Sequence, residues 1–170
     1  MVFGIFKRKQ APVVPAATTK AYDPVADMLA KSAAAKAEQD ALHATMDLEV
    51  KRVDKVAEGV IAITFADPVG NELPAWEPGA HLELHLPSGL NRQYSLCGST
   101  KNEYEYRVSV LREEDSRGGS KELHDTDLVG TIMKVAGPRN HFELVKSPKY
   151  VFIAGGIGIT PIRAMVESLG

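Results

Sequence analysis

Short runs of alternating apolar and polar residues, cut apart by glycine and proline, confine this chain to a mainly β architecture. The clearest run is Ala80-His81-Leu82-Glu83-Leu84-His85-Leu86, where every second residue is leucine. An extended strand sends alternate side chains to opposite faces, so Leu82, Leu84 and Leu86 meet a core. His81, Glu83 and His85 share the other face. That trio invites a metal-site reading, but a polar strand face meeting water is the simpler account, and no metal is expected. Leu48 to Val53 and Val60 to Phe65 are similar runs about a turn at Glu58-Gly59, and Tyr104 to Leu111 and Gly130 to Ala136 add two more. Pro68, Gly70, Pro74, Pro78, Gly79 and Pro87-Ser88-Gly89 separate them. Together with the segment carrying Arg92, they predict six strands.

Bulk properties narrow the class. A length of 170 residues allows one full domain and part of another. The 44% hydrophobic and 25% charged fractions are those of a soluble globular protein, and a net charge of −2 gives no hint of nucleic acid. Cys97 is the single cysteine, which excludes an internal disulfide and a four-thiolate iron–sulfur site within this chain. A cytoplasmic, reducing setting is the simplest fit. Met1 to Phe6 is apolar and precedes Lys7-Arg8-Lys9, the reverse of a secretory signal and too short to span a membrane. Weak membrane contact stays open. Pro12 and Pro15 then break regular structure, and Val25, Met28, Leu29, Leu42 and Met46 are too sparse for a strong apolar stripe. Residues 1–45 therefore read as a flexible or marginally helical extension, with Asp23 as a helix N-cap before Pro24.

Two stretches carry possible chemistry. In Arg92-Gln93-Tyr94-Ser95-Leu96-Cys97-Gly98-Ser99, strand geometry puts Arg92 and Tyr94 on one face and Gln93 and Ser95 on the other. A guanidinium can fork onto a phosphate, a phenol ring can cover a heterocycle, and a hydroxyl can donate to a ring nitrogen. An ordinary barrel strand with an exposed arginine explains the same residues. The second stretch is Tyr150-Val151-Phe152-Ile153-Ala154, read as a buried strand, followed by Gly155-Gly156-Ile157-Gly158-Ile159-Thr160-Pro161 and a helix to Leu169. Strand, glycine turn and helix is the form of a dinucleotide phosphate site, with Thr160 as N-cap and Pro161 at the first helical position. The spacing is not G-x-G-x-x-G, and a tight turn without a ligand competes with this reading. Ser116-Arg117-Gly118-Gly119-Ser120 similarly opens a short helix, where Ser120 can cap the helix or bind phosphate. Glu113-Glu114-Asp115 reads as a solvated acidic loop.

Taken in order from Met46 to Gly170, these motifs resemble the ferredoxin reductase superfamily of flavoproteins. The R-Q-Y-S-L-C form, Gly118-Gly119-Ser120 and Gly137-Pro138-Arg139-Asn140-His141-Phe142 are similar to the phthalate dioxygenase reductase and vanillate O-demethylase oxidoreductase branch. Thr131 departs from the acidic residue often found there.

The resemblance implies an antiparallel Greek-key flavin barrel over residues 46–146, then the first βα unit of an incomplete NAD(P)-binding domain over 147–170. It also implies an N-terminal piece of a longer reductase, whose [2Fe–2S] domain lies elsewhere. FMN is the flavin implied, with FAD as the alternative, and NAD(P)H is the electron donor. Arg92 and Gln93 would bind the cofactor, Tyr94 and Ser95 would pack at the reacting ring, and Ser109, Val110 and Leu111 would lie along it. Gly118, Gly119 and Ser120 would meet the phosphate, while Gly155, Gly156 and Thr160 would face the pyridine nucleotide. Arg139 is a weaker candidate, for contact between domains, within a segment read as a turn. The implied function is a reductase component passing electrons to an iron–sulfur centre, a ferredoxin-type acceptor or an oxygenase partner. A flavin-binding module without catalysis, and an unrelated β-barrel interaction domain, are the alternatives.

Overall fold

The computed structural model describes residues 24–25, 27–29, 31–33, 44–115 and 117–170. Several expectations lie outside these residues: those for Met1 to Phe6, Lys7-Arg8-Lys9, Pro12, Pro15, Asp23, Leu42 and Ser116. The chain divides into two compact units, Met1–Lys36 and Ala37–Gly170. In the first, the described residues between 24 and 33 are helical, and Lys31 Nζ lies 2.9 Å from Asp27 one turn earlier. Among the described residues no helix is long and apolar enough to cross a membrane.

The second unit is built on the expected six strands: β1 (Thr45–Ala57), β2 (Val60–Ala66), β3 (Ala80–His85), β4 (Asn91–Ser95), β5 (Tyr106–Leu111) and β6 (Ile132–Asn140). All named pairings are antiparallel, in the spatial order β4-β3-β6-β1-β2-β5. The sheet curls until its edges meet. Leu96, just past β4, bridges Val108 of β5, and Cys97 N–H donates to the Arg107 carbonyl at 2.8 Å. The alternation that predicts the strands also makes the core. Leu82 and Leu84 of β3, Val108 and Val110 of β5, and Ile63 and Phe65 of β2 are fully buried, and Trp76, Leu123 and Leu128 pack into the same cluster. Tyr106 is buried among them and its hydroxyl donates to the Pro74 carbonyl, which satisfies the one polar atom that burial would penalise.

Three segments depart from the expectations. Gly137-Pro138-Arg139-Asn140 is not a turn but the second half of β6. After a register shift opposite His81 and Glu83, Arg139 pairs with His81 and Asn140 with Ala80, so the ladder outlasts the local turn chemistry. Asn140 then binds across the turn before β3, donating to the Pro78 carbonyl at 3.1 Å and accepting from Phe142 N–H at 3.0 Å. Gly79 lies under that contact with φ +99, and a Cβ there would come within 1.9 Å of the Phe142 carbonyl oxygen. Only glycine fits.

The second departure is Tyr150 to Ala154, which forms no strand: no parallel neighbour lies beside it among the described residues, and Val151 and Ile153 are each 88% exposed. An isolated extended segment has no ladder to complete. Third, a 3₁₀ turn at Gly156–Gly158 runs directly into the final helix, Ile159–Ser168, with Gly158 at its cap position. Thr160 is therefore inside the helix and donates to the Ile157 carbonyl at 3.0 Å instead of capping, and Pro161 is its third residue. Among the described residues this unit has two α-helices, α1 (Gly119–Asp125) and α2 (Ile159–Ser168). Here α2 turns Ile162, Ala164 and Met165 inward.

Candidate functional site

Period-two geometry on β4 and β5 turns polar side chains away from the core. On β5, Tyr106, Val108 and Val110 face the core, so Arg107, Ser109 and Leu111 face the other way. Leu111, Ser109 and the Arg92-Gln93-Tyr94 stretch line one hollow of about 300 Å³, together with Glu113, Arg117, Ser120 and Ile157. Residues from four separated stretches of sequence thus share one wall. A second hollow, of about 400 Å³, adjoins it through Ser109, Leu111 and Ile157. Its remaining lining is mostly apolar, from Val56, Ala57 and Val60, with Cys97, Gly156, Ile159, Thr160 and Arg163.

Arg92 is held at the polar end by its own neighbours. Its Nη1 donates to the Asn91 carbonyl at 2.7 Å and Nη2 to the Arg117 carbonyl at 3.3 Å. The side chain lies across Gly119 so closely that a Cβ there would approach Arg92 Cγ at 2.7 Å and Nε at 2.8 Å. Gly119 is a glycine for space, not for backbone conformation. Ser120 is 8% exposed and does not cap α1. Its Oγ accepts from Glu113 N–H at 3.2 Å, which ties the acidic loop to the start of the helix. Glu113 thereby lines the hollow while remaining exposed, as are Glu114 and Asp115 of the same loop. Burial raises the Tyr94 phenol above its ordinary pKa, with Arg92 opposing and Glu113 adding, so Tyr94 is a neutral ring at pH 7.

Arg92, Gln93, Tyr94, Ser109, Leu111 and Ser120 meet in the first hollow, and Gly156 and Thr160 stand in the second. Ser95, Gly118, Gly119 and Gly155 line neither hollow. Val110 turns its side chain into the core, which leaves only its backbone for any ligand. Sequence reasoning missed Arg117, Glu113, Ile157, Cys97 and Arg163 as lining residues. Arg117 had a readable signal, a cation directly before Gly118-Gly119, whereas Ile157 and Arg163 arrive only through the docking of α2. Among the described residues no group of three or more His, Cys, Asp or Glu is placed to hold a metal ion. His81, Glu83 and His85 are half-buried on one face of β3. Glu83 there lies 3.3 Å from His85 Nε2 and 3.9 Å from Arg139.

These residues fit a phosphorylated, ring-bearing cofactor. The polar end has Arg92 and Arg117 against Glu113, and the space left by Gly119 admits the Arg92 side chain, whose guanidinium can fork onto phosphate. Tyr94 offers an aromatic face beside it, and the apolar hollow beyond can accept a flat ring.

The curled six-stranded antiparallel sheet has counterparts among known proteins. No protein-family model matches the chain. Its sequence is 42% identical over 130 residues to the phenoxybenzoate dioxygenase subunit beta of Ectopseudomonas oleovorans, covering 76% of this chain and 41% of that protein. It is 38% identical over 125 residues to the vanillate O-demethylase oxidoreductase of Acinetobacter baylyi, covering 73% and 39%. Among solved structures, phthalate dioxygenase reductase superposes with a TM-score of 0.70 at 35% identity, over 76% of this chain and 40% of that one. That protein is described as a modular structure for electron transfer from pyridine nucleotides to [2Fe–2S]. The chain is homologous to this oxygenase-reductase branch of the ferredoxin reductase-type flavoproteins. It spans about two fifths of the length of these relatives.

Proposed function

We propose that this chain binds FMN and serves in the reductase component of an oxygenase system, where electrons pass from NAD(P)H to an iron–sulfur centre, a ferredoxin-type acceptor or the oxygenase itself. The observation that carries the reading is the convergence of Arg92, Tyr94, Arg117 and Ser120 on one hollow that opens into an apolar one. FMN is preferred to FAD because the R-Q-Y-S-L-C form is that of the oxygenase-reductase branch. The domains read as residues 46–146 for the flavin barrel and 147–170 for the start of the nucleotide-binding part, within a cytoplasmic protein.

Bound flavin supplies the one chemistry the side chains lack, acceptance of a hydride and release of electrons singly. The chain's own residues bind and orient. Arg92 holds the phosphate, with Gly118, Gly119 and Ser120 beside it. Tyr94 covers the ring as a neutral phenol. Ser109, Leu111 and the backbone of Val110 lie along the ring edge. Gly156 and Thr160, in the second hollow, face the pyridine nucleotide, while Ser95 and Gly155, which line neither hollow, are assigned to the ring and the nucleotide by the resemblance alone.

A flavin titration followed by anaerobic NADH addition tests this reading. Binding of FMN with bleaching on NADH is expected of a reductase, binding without bleaching is expected of a passive flavin module, and absence of binding overturns both.

A further inference from the structure

The Cys97 thiol and the Ser109 hydroxyl meet where the barrel closes, with Sγ 3.3 Å from Oγ. Backbone bonds fix both ends of this pair. Leu96 N–H donates to the Ala80 carbonyl and Cys97 N–H to the Arg107 carbonyl, each at 2.8 Å, so the chain after β4 is laced to β3 on one side and to β5 on the other. Gly98 lets it run close to β5, since a Cβ there would lie 3.3 Å from Arg107 Cβ. Ser109 is held in the β5 ladder opposite Ala62 of β2. Leu96 is buried in the core, and Cys97, turned the other way, lines the apolar hollow. Ser109 lines both hollows.

The direction of the thiol–hydroxyl bond decides what the hollows receive. A hydroxyl has one proton and two acceptor lone pairs, whereas sulfur is a weak acceptor, so the better bond runs from S–H to Oγ. The serine proton is then left to point outward. Were O–H to donate to sulfur, only lone pairs would face the hollows. Among the described residues the thiol is the only hydrogen-bonding partner of Ser109 Oγ. The other hydroxyl lining the apolar hollow, on Thr160, already donates to the Ile157 carbonyl at 3.0 Å, and Arg163 Nε donates to Glu167 at 2.8 Å.

We propose that Cys97 is a positioning residue, whose S–H donates to Ser109 Oγ and so aims the Ser109 hydroxyl at a nitrogen or carbonyl oxygen on the edge of a bound flat ring. That the ring is a flavin rests on the reading above; the direction of the thiol rests on the pair itself. A donated hydrogen bond strengthens as charge on its acceptor rises, so the pair favours the reduced ring. Cys97 is the single thiol of the chain, and its infrared S–H stretching band can be followed without any flavin. Wild-type protein shows the band of a donating thiol, and Ser109→Ala moves it to that of a free one. An unmoved band overturns the proposed direction. In FMN-loaded protein, Ser109→Ala weakens binding of the reduced flavin relative to the oxidised about 3- to 10-fold, the worth of a neutral hydrogen bond, which is a fall of up to about 30 mV in the two-electron potential. Cys97→Ala shows part of that fall, Cys97→Ser recovers toward wild type because its hydroxyl can also donate, and the double alanine variant falls no further than Ser109→Ala. An unchanged potential in Ser109→Ala, or additive losses in the double variant, overturns the role. A chain that takes up no FMN overturns the cofactor reading and the ring contact with it, a result the flavin-free infrared band keeps distinct from a wrongly assigned thiol.

Discussion

Arg92 and Gly119 make the sharpest statements about the site. The Arg92 guanidinium is held over Gly119 by the Asn91 and Arg117 carbonyls, the pose that the proposed phosphate contact would use. Arg92→Ala is expected to weaken FMN affinity by about 1.5–3 kcal/mol, the range for hydrogen bonds to charged groups, measured by flavin fluorescence titration. Gly119→Ala separates placement from presence. Alanine favours a helix over glycine, so the flavin-free protein should not lose thermal stability. The added Cβ would nevertheless push Arg92 aside, and FMN affinity is expected to fall by about 1 kcal/mol or more. Unchanged affinity in that variant would mean that Arg92 does not use this pose. The sequence pointed to Arg92, Tyr94 and Ser120 because they stand in short motifs of fixed residue type. It could not point to Glu113, which reaches the hollow through a backbone hydrogen bond to Ser120 Oγ that no spacing rule encodes.

Elements were legible where period-two alternation ran uninterrupted, as in β3 and β5, because one residue of slip would turn every leucine or valine to water. Alternation failed at β6, where Gly137-Pro138 reads locally as a turn yet the strand continues to Asn140 on the strength of its pairing with β3. That junction carries two predictions. Gly79→Ala is expected to cost more than about 2 kcal/mol in urea unfolding, because left-handed strain adds to an overlap with the Phe142 carbonyl that backbone cannot easily relieve. His81, paired with Arg139, has its pKa lowered by burial, by His141 at a ring separation of 5.3 Å, and by Arg139, with Glu83 opposing. A depressed folded pKa means that the unfolded chain binds the proton more readily. The stability tied to neutral His81 is therefore complete above the ordinary histidine pKa of about 6.5 and is lost as pH falls from there through the folded value. His81→Asn should flatten stability against pH in that window. An unaltered slope in thermal melts from pH 7.5 to 5 would remove His81 from the account.

At the scale of the whole molecule, the barrel and the final helix act as two walls of one arrangement, a polar hollow with arginines and an apolar one beside it. The barrel wall is written in local sequence and was readable. The other wall depends on where α2 docks, and it was read only in part: Gly156 and Thr160 were expected there, but the helix begins at Ile159, and Ile157 and Arg163 enter unannounced. Tyr150 to Ala154 shows the same limit, since its apolar run reads as a strand but makes no ladder among the described residues. The central claim of the proposed function is that the chain holds a flavin, with FMN as the proposed one. The most direct measurement is to denature the purified chain after incubation with FMN and FAD and to identify the released flavin by mass. The account predicts FMN in stoichiometric amount. A folded chain that releases no flavin would contradict it.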